Sequence, residues 1–210
     1  MSTIHCTPKT EEDGTSIDKL IWSDEFEGNF IDTTKWKFET GDHGWGNNEW
    51  QDYQPQGSDN VQVNDGILRI TARKTGPGQR VGDYTSARIN SRESFLYGRI
   101  EIRAKMPEYK GPGIWPALWM LGENIGELSW PLCGEIDLME YISSNPNSVL
   151  MTIHSQANNH MNGTQLSSGF VPLPNIEEEF NIFGLLWDEK RLVFYVNGPE
   201  QVLLTINRPE

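Results

Sequence analysis

The stretch Gly134-Glu135-Ile136-Asp137-Leu138-Met139-Glu140 places three carboxylates in one short apolar run. Alternate side chains of a β-strand point to opposite faces, so Glu135 and Asp137 share a face that Ile136 does not. Unbroken alternation would turn Glu140 to the apolar face, where an unpaired ionised carboxylate is costly. A β-bulge ahead of Glu140 would return it to the acidic face. The sequence therefore predicts a bulged strand with three carboxylates on one side.

This geometry suits a known kind of chemistry. Four strand residues span about 13 Å, and two leaning Glu side chains can close most of that distance. Carboxyls that meet at roughly 5 to 5.5 Å fit a retaining glycosidase, in which one attacks and the other protonates the leaving oxygen. Clustered acids titrate together, so we expect one retained proton near neutral pH, most usefully on Glu140. The alternative is a solvated edge strand, which would leave Met139 exposed and Glu140 buried without a partner.

The hexapeptide E-I-D-L-M-E resembles the catalytic strand of glycoside hydrolase family 16, in the bulged form of its laminarinase-like (endo-β-1,3-glucanase) branch. Similar segments run in family order from Trp22-Ser23-Asp24-Glu25-Phe26 to strands near Leu203. The resemblance implies Glu135 as nucleophile, Glu140 as acid/base, and Asp137 as a hydrogen-bonding partner of Glu135. It further implies endo-hydrolysis, with retention, of β-1,3 or mixed β-1,3/1,4 glucans such as laminarin.

Composition limits the class of protein and of partner. The 210 residues are 36% hydrophobic, enough for one globular domain with a sizeable core. With 17 Lys plus Arg against 30 Asp plus Glu, the net charge of -13 would repel nucleic acid. The same charge mildly disfavours sulfated polysaccharides and leaves neutral ones open. No apolar run approaches membrane-spanning length, and we expect a monomer that acts on a polysaccharide.

Short segments rich in Val, Ile, Thr and aromatic residues follow a polar start. Residues 1–18 are predicted to be a disordered lead-in, and residues 19–210 a catalytic domain. Asp65-Gly66 and Asn197-Gly198 are hairpin signals, and no stretch sustains a helical period. Many short strands predict an all-β fold, a β-sandwich of the jelly-roll type. The resemblance implies the same fold, with a concave substrate cleft.

Two tryptophans four residues apart are candidates for sugar binding. On a strand, Trp115, Ala117 and Trp119 would share a face, and indole rings stack on the flat C–H faces of sugars. The alternative is a pair of core aromatics. The similarity of G-I-W-P-A-L-W-M-L to the strand beside the family's catalytic strand favours the cleft.

Other substrate-binding candidates follow from the resemblance. The segment W-G-N-N-E is similar to a family loop that lines the cleft, which makes Asn47 and Asn48 candidate sugar ligands. Arg88 matches a strand that presents an Arg to substrate, although alone it would more often be a surface charge. His154 ends a strand at a position where the family has a His near the acid/base. Trp130 lies just ahead of the acidic strand, where it could form a side of the cleft.

The chemistry needs no cofactor, but the family often binds a structural calcium ion. Glu25 and Gly66 match two of the family's calcium-binding positions, and the third is absent from this sequence. They are equally read as a surface acid and a turn glycine. The resemblance also implies C-terminal strands that this chain lacks. Either the sequence is a fragment of a longer protein, or something else covers the exposed core.

The cysteines and the N-terminus bear on localisation. Cys6 and Cys133 are too few for a disulfide framework, and Cys133 is read as a free buried thiol. Residues 1–18 lack the apolar core of a signal peptide, whereas family members are mostly exported, so an extracellular or periplasmic location is implied by resemblance. Two other functions remain open: an agarase- or carrageenase-like galactan hydrolase, and a non-catalytic β-glucan-binding domain.

Overall fold

The computed structural model describes residues 2–5, 9–10, 16–17 and 19–208, which are almost entirely strands, turns and loops. Both helices of these residues are single 3-10 turns, Glu123–Gly126 and His160–Asn162, so neither has the length of a membrane-spanning helix. The strands are, in chain order, β1 (Ser2–His5), β2 (Lys9–Thr10), β3 (Ser16–Ile17), β4 (Leu20–Asp24), β5 (Trp36–Glu39), β6 (Gln51–Tyr53), β7 (Val61–Asn64), β8 (Ile67–Ile70), β9 (Arg73–Lys74), β10 (Tyr84–Ser86), β11 (Arg88–Ser91), β12 (Gly98–Ala104), β13 (Ala117–Leu121), β14 (Glu135–Glu140), β15 (Ser148–His154), β16 (Leu166–Ser167), β17 (Val171–Pro172), β18 (Asn181–Trp187), β19 (Arg191–Val196) and β20 (Val202–Asn207).

The chain forms two compact units. Among the described residues, the small unit is Asp24–Ser94, and the large unit is the described part of Ser2–Ser23 together with residues 95–208. Each unit has its own hydrophobic cluster, because each buries one apolar face of its strands.

The large unit is a two-layer sandwich. One sheet has the strand order β20-β19-β18-β12-β1-β4, and the other has the order β13-β14-β15-β16, with β17 also pairing with β15. Phe183 and Leu185 of the first sheet share one core with Met139 and Met151 of the second. Apolar residues on alternate positions of both sheets therefore meet between the layers, as in the predicted sandwich.

The lead-in predicted to be disordered contains three short strands. The backbone of Ser2–His5 pairs antiparallel with β12, with Ile4 opposite Ile100, and Lys9–Thr10 pairs with Ser16–Ile17. The structure differs from the prediction because the edge of β12 offers backbone hydrogen-bond partners to Ser2–His5, while Lys9–Thr10 and Ser16–Ile17 offer them to each other. The other residues of the lead-in, Cys6 among them, lie outside the described residues.

The two hairpin signals both join antiparallel strands. Asp65 and Gly66 have φ values of 52° and 71° between β7 and β8, which is the pattern of a type I′ turn. In the large unit, Asn197-Gly198 begins a longer loop between β19 and β20. In the small unit, Val63 of β7 packs in a hydrophobic cluster with Phe26 and Ile31. Both hairpins predicted from the sequence are confirmed.

Candidate active site

A β-bulge interrupts β14 ahead of its last residue. Asp137 and Glu140 are three residues apart, yet they pair with β15 residues that are only two apart. Leu138 and Met139 therefore share one place in the ladder, and both are buried, with exposures of 2% and 0%. This confirms the bulge that the sequence predicts, since an unbroken strand would have exposed Met139.

Two acids of β14 surround a buried histidine of β15. His154 Nε2 lies 3.9 Å from Glu135 Oε1 and 3.6 Å from Asp137 Oδ2. Glu135 and His154 are directly opposite each other in the ladder, so their side chains emerge on the same face. The His154 pKa is lowered by burial and by the nearby His160, so the neutral imidazole is favoured beside the two acids.

Asp137 keeps a proton that an exposed aspartate would lose. Burial, followed by the charges of Glu135 and Glu140, raises the pKa of Asp137 to about 9, and a hydrogen bond with Glu135 adds to the shift. The sequence predicts that Glu140 retains the proton. The structure favours Asp137, because its side chain is only 4% exposed and charging it there costs most.

Glu140 is held by two neutral donors. Trp115 Nε1 donates to Oε1 at 3.1 Å, and Thr152 Oγ1 donates to Oε2 at 3.0 Å. Burial raises the Glu140 pKa, while both donors and the charge of His160 oppose that shift. Glu140 therefore has hydrogen-bond partners on the acid face and is not stranded in the core.

Aromatic rings flank the acids. The Trp130 ring stacks on His160 with centroids 4.7 Å apart, and it lies 5.5 Å from the His154 ring. Trp119 pairs with Asp137 across the ladder, so it emerges on the acid face. Trp115 precedes β13 and is 49% exposed, so it does not share a strand with Trp119 as the sequence pattern suggested.

Two residues of this cluster were not predicted. Thr152 lies two positions before His154 on β15, and that spacing alone puts it on the same face. Strand periodicity alone therefore predicts its side of the sheet. His160 lies on the 3-10 turn after β15, and no sequence pattern shows that this turn folds back to Trp130.

The remaining sugar-binding candidates belong to the small unit. Asn47 and Asn48 are exposed, and Asn47 Nδ2 donates to Glu49 Oε1 at 3.3 Å. The Arg88 guanidinium forms an ion pair with Glu39 and lies 4.7 Å from the centroid of the Trp45 ring. The polar loop and the arginine are thus ordered by contacts within this unit. Trp45, which sequence reasoning did not single out, is one of those contacts.

Two groups of residues have spacings that are relevant to metal ions. The Glu25 carbonyl oxygen lies beside Gly66, 3.7 Å from where a Cβ at position 66 would be. Such hard oxygen ligands suit calcium. The ligand atoms of Glu135, Asp137 and His154 also lie within 4.8 Å of one another. Without a cation, burial and the charges of Glu135 and Glu140 raise the pKa of Asp137, so this second group shares a proton.

Cys133 is a free, half-buried thiol just ahead of β14. Burial raises its pKa, so the thiolate that a nucleophile would need is disfavoured. The prediction of a free thiol at Cys133 is confirmed, but the thiol is half-buried and not fully buried as the sequence predicts.

Comparison with known proteins identifies the class. The profile described as "Glycosyl hydrolases family 16" matches residues 48–209, and the chain belongs to this family. It is 40% identical over 184 residues to the "Beta-glucanase" of Rhodothermus marinus, covering 85% of this chain and 63% of that protein. It is 38% identical over 197 residues to the "Glucan endo-1,3-beta-glucosidase A1" of Niallia circulans, covering 85% of this chain and 28% of that protein.

A solved structure shows the same fold. The laminarinase from Rhodothermus marinus aligns with a TM-score of 0.80 at 37% identity, covering 90% of this chain and 75% of that one. The predicted all-β sandwich of the jelly-roll type is confirmed. The chain spans less than two thirds of the length of the two curated relatives.

Proposed function

We propose that the protein is a retaining endo-glycosidase that hydrolyses internal β-1,3 linkages of glucans, in laminarin-type or mixed β-1,3/1,4 polymers. The bulge in β14 carries the proposal, because it keeps three acids on one face and gives each a different environment. The names of the two curated relatives favour a glucan over a galactan. The presence of both glutamates favours catalysis over glucan binding alone.

The different environments of the three acids support one assignment of roles. Glu135 attacks the anomeric carbon and forms a glycosyl-enzyme bond while Glu140 gives its proton to the leaving oxygen. Glu140 then takes a proton from water as the water oxygen bonds to the anomeric carbon and the bond to Glu135 breaks, which releases the sugar with net retention. Protonated Asp137 donates its hydrogen bond to Glu135 and so tunes the nucleophile. Glycosyl hydrolases of this family need no cofactor for these steps.

Aromatic and polar residues of each unit are candidates for binding the sugar chain. Trp115, Trp119 and Trp130 offer ring faces to sugars, and His154 orders the two acids that it contacts. In the small unit, Asn47, Asn48 and Arg88 offer donors to sugar hydroxyls. We further propose that the protein acts as a monomer outside the cytoplasm, where polymeric glucan is met.

Replacing either glutamate tests the assignment. Glu135→Gln and Glu140→Gln should each lower the release of reducing sugar from laminarin by about 1,000-fold or more, because each step loses its reacting group. Near-wild-type turnover in either variant would end the assignment. Glu123→Gln, which changes an exposed acid on a 3-10 turn, is the control, and a thermal melt checks the fold of each variant.

Azide separates the two roles. In Glu135→Ala, azide can replace the missing nucleophile, and a single displacement gives the α-glycosyl azide. In Glu140→Ala, azide attacks the glycosyl-enzyme and gives the β-glycosyl azide. A β-glycosyl azide from Glu135→Ala and an α-glycosyl azide from Glu140→Ala would mean that Glu140 is the nucleophile and Glu135 the acid/base. Retention on a laminarin column without any sugar release by the wild type would instead indicate a binding domain.

We propose a structural calcium site at Glu25 and Gly66. The adjacency of the Glu25 carbonyl to the turn at Gly66 supports it, since backbone oxygens are common calcium ligands. Calcium at 100 times its dissociation constant should stabilise the fold by about 2.7 kcal/mol and raise the melting temperature. Magnesium serves as the control. Identical melts with calcium and with a chelator would contradict the site.

A further inference from the structure

A buried serine after β14 is bonded to the segment that precedes Trp115. Ser143 has no exposed surface. Its Oγ donates to the Gly111 carbonyl oxygen at 2.5 Å and accepts from the Ile114 backbone N–H at 3.1 Å. Its own N–H donates to the Ile114 carbonyl oxygen at 3.0 Å. One residue thus makes three hydrogen bonds to a segment that has no regular secondary structure.

The same segment is bonded once more beside Trp115. The Tyr141 N–H donates to the Pro116 carbonyl oxygen at 3.0 Å, so residues 141–143 run along residues 114–116 beyond the end of the β13–β14 ladder. Trp115 itself is about half exposed, and its indole N–H reaches Glu140 Oε1. The direction of this ring therefore depends largely on the backbone that Ser143 holds.

We propose that Ser143 is a positioning residue that acts through Trp115 on the acid/base Glu140. The inference rests on the proposed catalytic role of Glu140 and deepens it. A donor aimed at a carboxylate stabilises its ionised form, so a Trp115 that is free to turn away would leave Glu140 protonated to higher pH. Ser143 touches neither substrate nor Glu140 directly.

Other groups that act on Glu140 stay in place when Ser143 changes. Asp137 lies on β14 together with Glu140. Thr152 donates a hydrogen bond to Glu140 from β15, and the charge of His160 acts on Glu140 from the 3-10 turn after β15. None of the hydrogen bonds of Ser143 described above involves these three residues. A change in the titration of Glu140 would therefore report on Trp115.

The experiment is a carbon-13 NMR titration of protein labelled in its Glu side chains, with the Glu140 resonance assigned by its loss in Glu140→Gln. Ser143→Ala should raise the Glu140 midpoint by about 0.5 to 1 pH unit. Trp115→Phe, which keeps a ring but removes the donor, should raise it equally. The double variant should show no larger shift than either single variant, because both act through one contact.

Matched variants guard against a general effect on the fold. Ser144→Ala, at the exposed neighbour, should leave the midpoint unchanged. Ser143→Cys keeps nearly the same volume with a weaker donor, so it should give a smaller shift in the same direction if Ser143→Ala fails to fold. Wild-type midpoints in Ser143→Ala or Ser143→Cys, or additive shifts in the double variant, would overturn the role.

The pH dependence of the kinetics is a second test of the role of Ser143. Glu140 must be protonated to act as the acid, so the basic limb of kcat/KM on laminarin should move to higher pH in the same variants. A wild type that does not hydrolyse laminarin would refute the proposed function. The NMR midpoints would still decide whether Ser143 acts on Glu140.

Discussion

The pKa of Asp137 differs from that of an ordinary aspartate because of its surroundings. Its carboxyl is almost fully buried between two other acids, and its pKa of about 9 follows from burial first and from neighbouring charge second. A neutral carboxyl there can donate a hydrogen bond to Glu135, which an aspartate cannot do. The shift therefore has a chemical use, and it also carries a cost in stability.

The cost appears in the dependence of stability on pH. In the unfolded chain Asp137 loses its proton near its ordinary pKa of 3.8, while the folded protein keeps it to about pH 9. Between these values the unfolded state binds fewer protons, so the free energy of unfolding falls as pH rises. The decline is at most about 1.4 kcal/mol per pH unit from this group.

Asp137→Asn removes this titration and tests it. Its stability relative to wild type should increase between pH 5 and pH 8, as measured by urea unfolding at each pH. Asp59→Asn, which changes an exposed acid of the small unit, is the control and should show no such trend. A difference between Asp137→Asn and wild type that stays constant with pH would contradict the retained proton.

At the scale of the element, the β-bulge in β14 is what keeps its three acids on one face. The bulge takes up one residue, so Leu138 and Met139 both enter the core while Glu140 returns to the acid face. Side chains along a strand alternate between its two faces, so a shift of one residue moves every following side chain to the opposite face. The number of residues in β14 therefore sets the position of Glu140, the proposed acid/base.

Changing that count should change the activity. One Ala inserted between Met139 and Glu140 should turn the Glu140 carboxyl toward the core and abolish sugar release from laminarin. Deleting Met139 leaves E-I-D-L-E, whose plain alternation keeps both glutamates on one face, so folded protein should retain measurable turnover. The deletion should still cost about 2 to 5 kcal/mol in lost core packing.

The comparison between the two length variants is the decisive one. Both change the chain by a single residue, and thermal melts report how much of each is folded. An insertion variant that is folded and as active as wild type would show that Glu140 does not need the bulge.

At the scale of the molecule, burial is divided between two clusters. In the large unit, Phe183, Leu185, Met139 and Met151 fill the space between two sheets, and the acids lie on the opposite face of β14. The small unit has its own cluster around Phe26, Ile31 and Val63. The net charge of -13 belongs to the whole sequence and is consistent with a neutral polymer as substrate.

The sequence by itself determined the class of fold, the two hairpins and the bulge. These follow from local rules: alternation of side chains, the positive φ values of an Asp-Gly turn, and the cost of burying Glu140 unpaired. The acidic strand could be located for the same reason, because its carboxylates are close in the chain.

Tertiary structure decided what depends on residues distant in sequence. The proton sits on Asp137 because burial there exceeds that of Glu140, and depth of burial cannot be read from a strand pattern. Trp115 reaches Glu140, Ser143 holds the segment before Trp115, and His160 stacks on Trp130 only because loops fold back onto the sheet. Such contacts join segments whose spacing has no period, so only the folded chain brings them together.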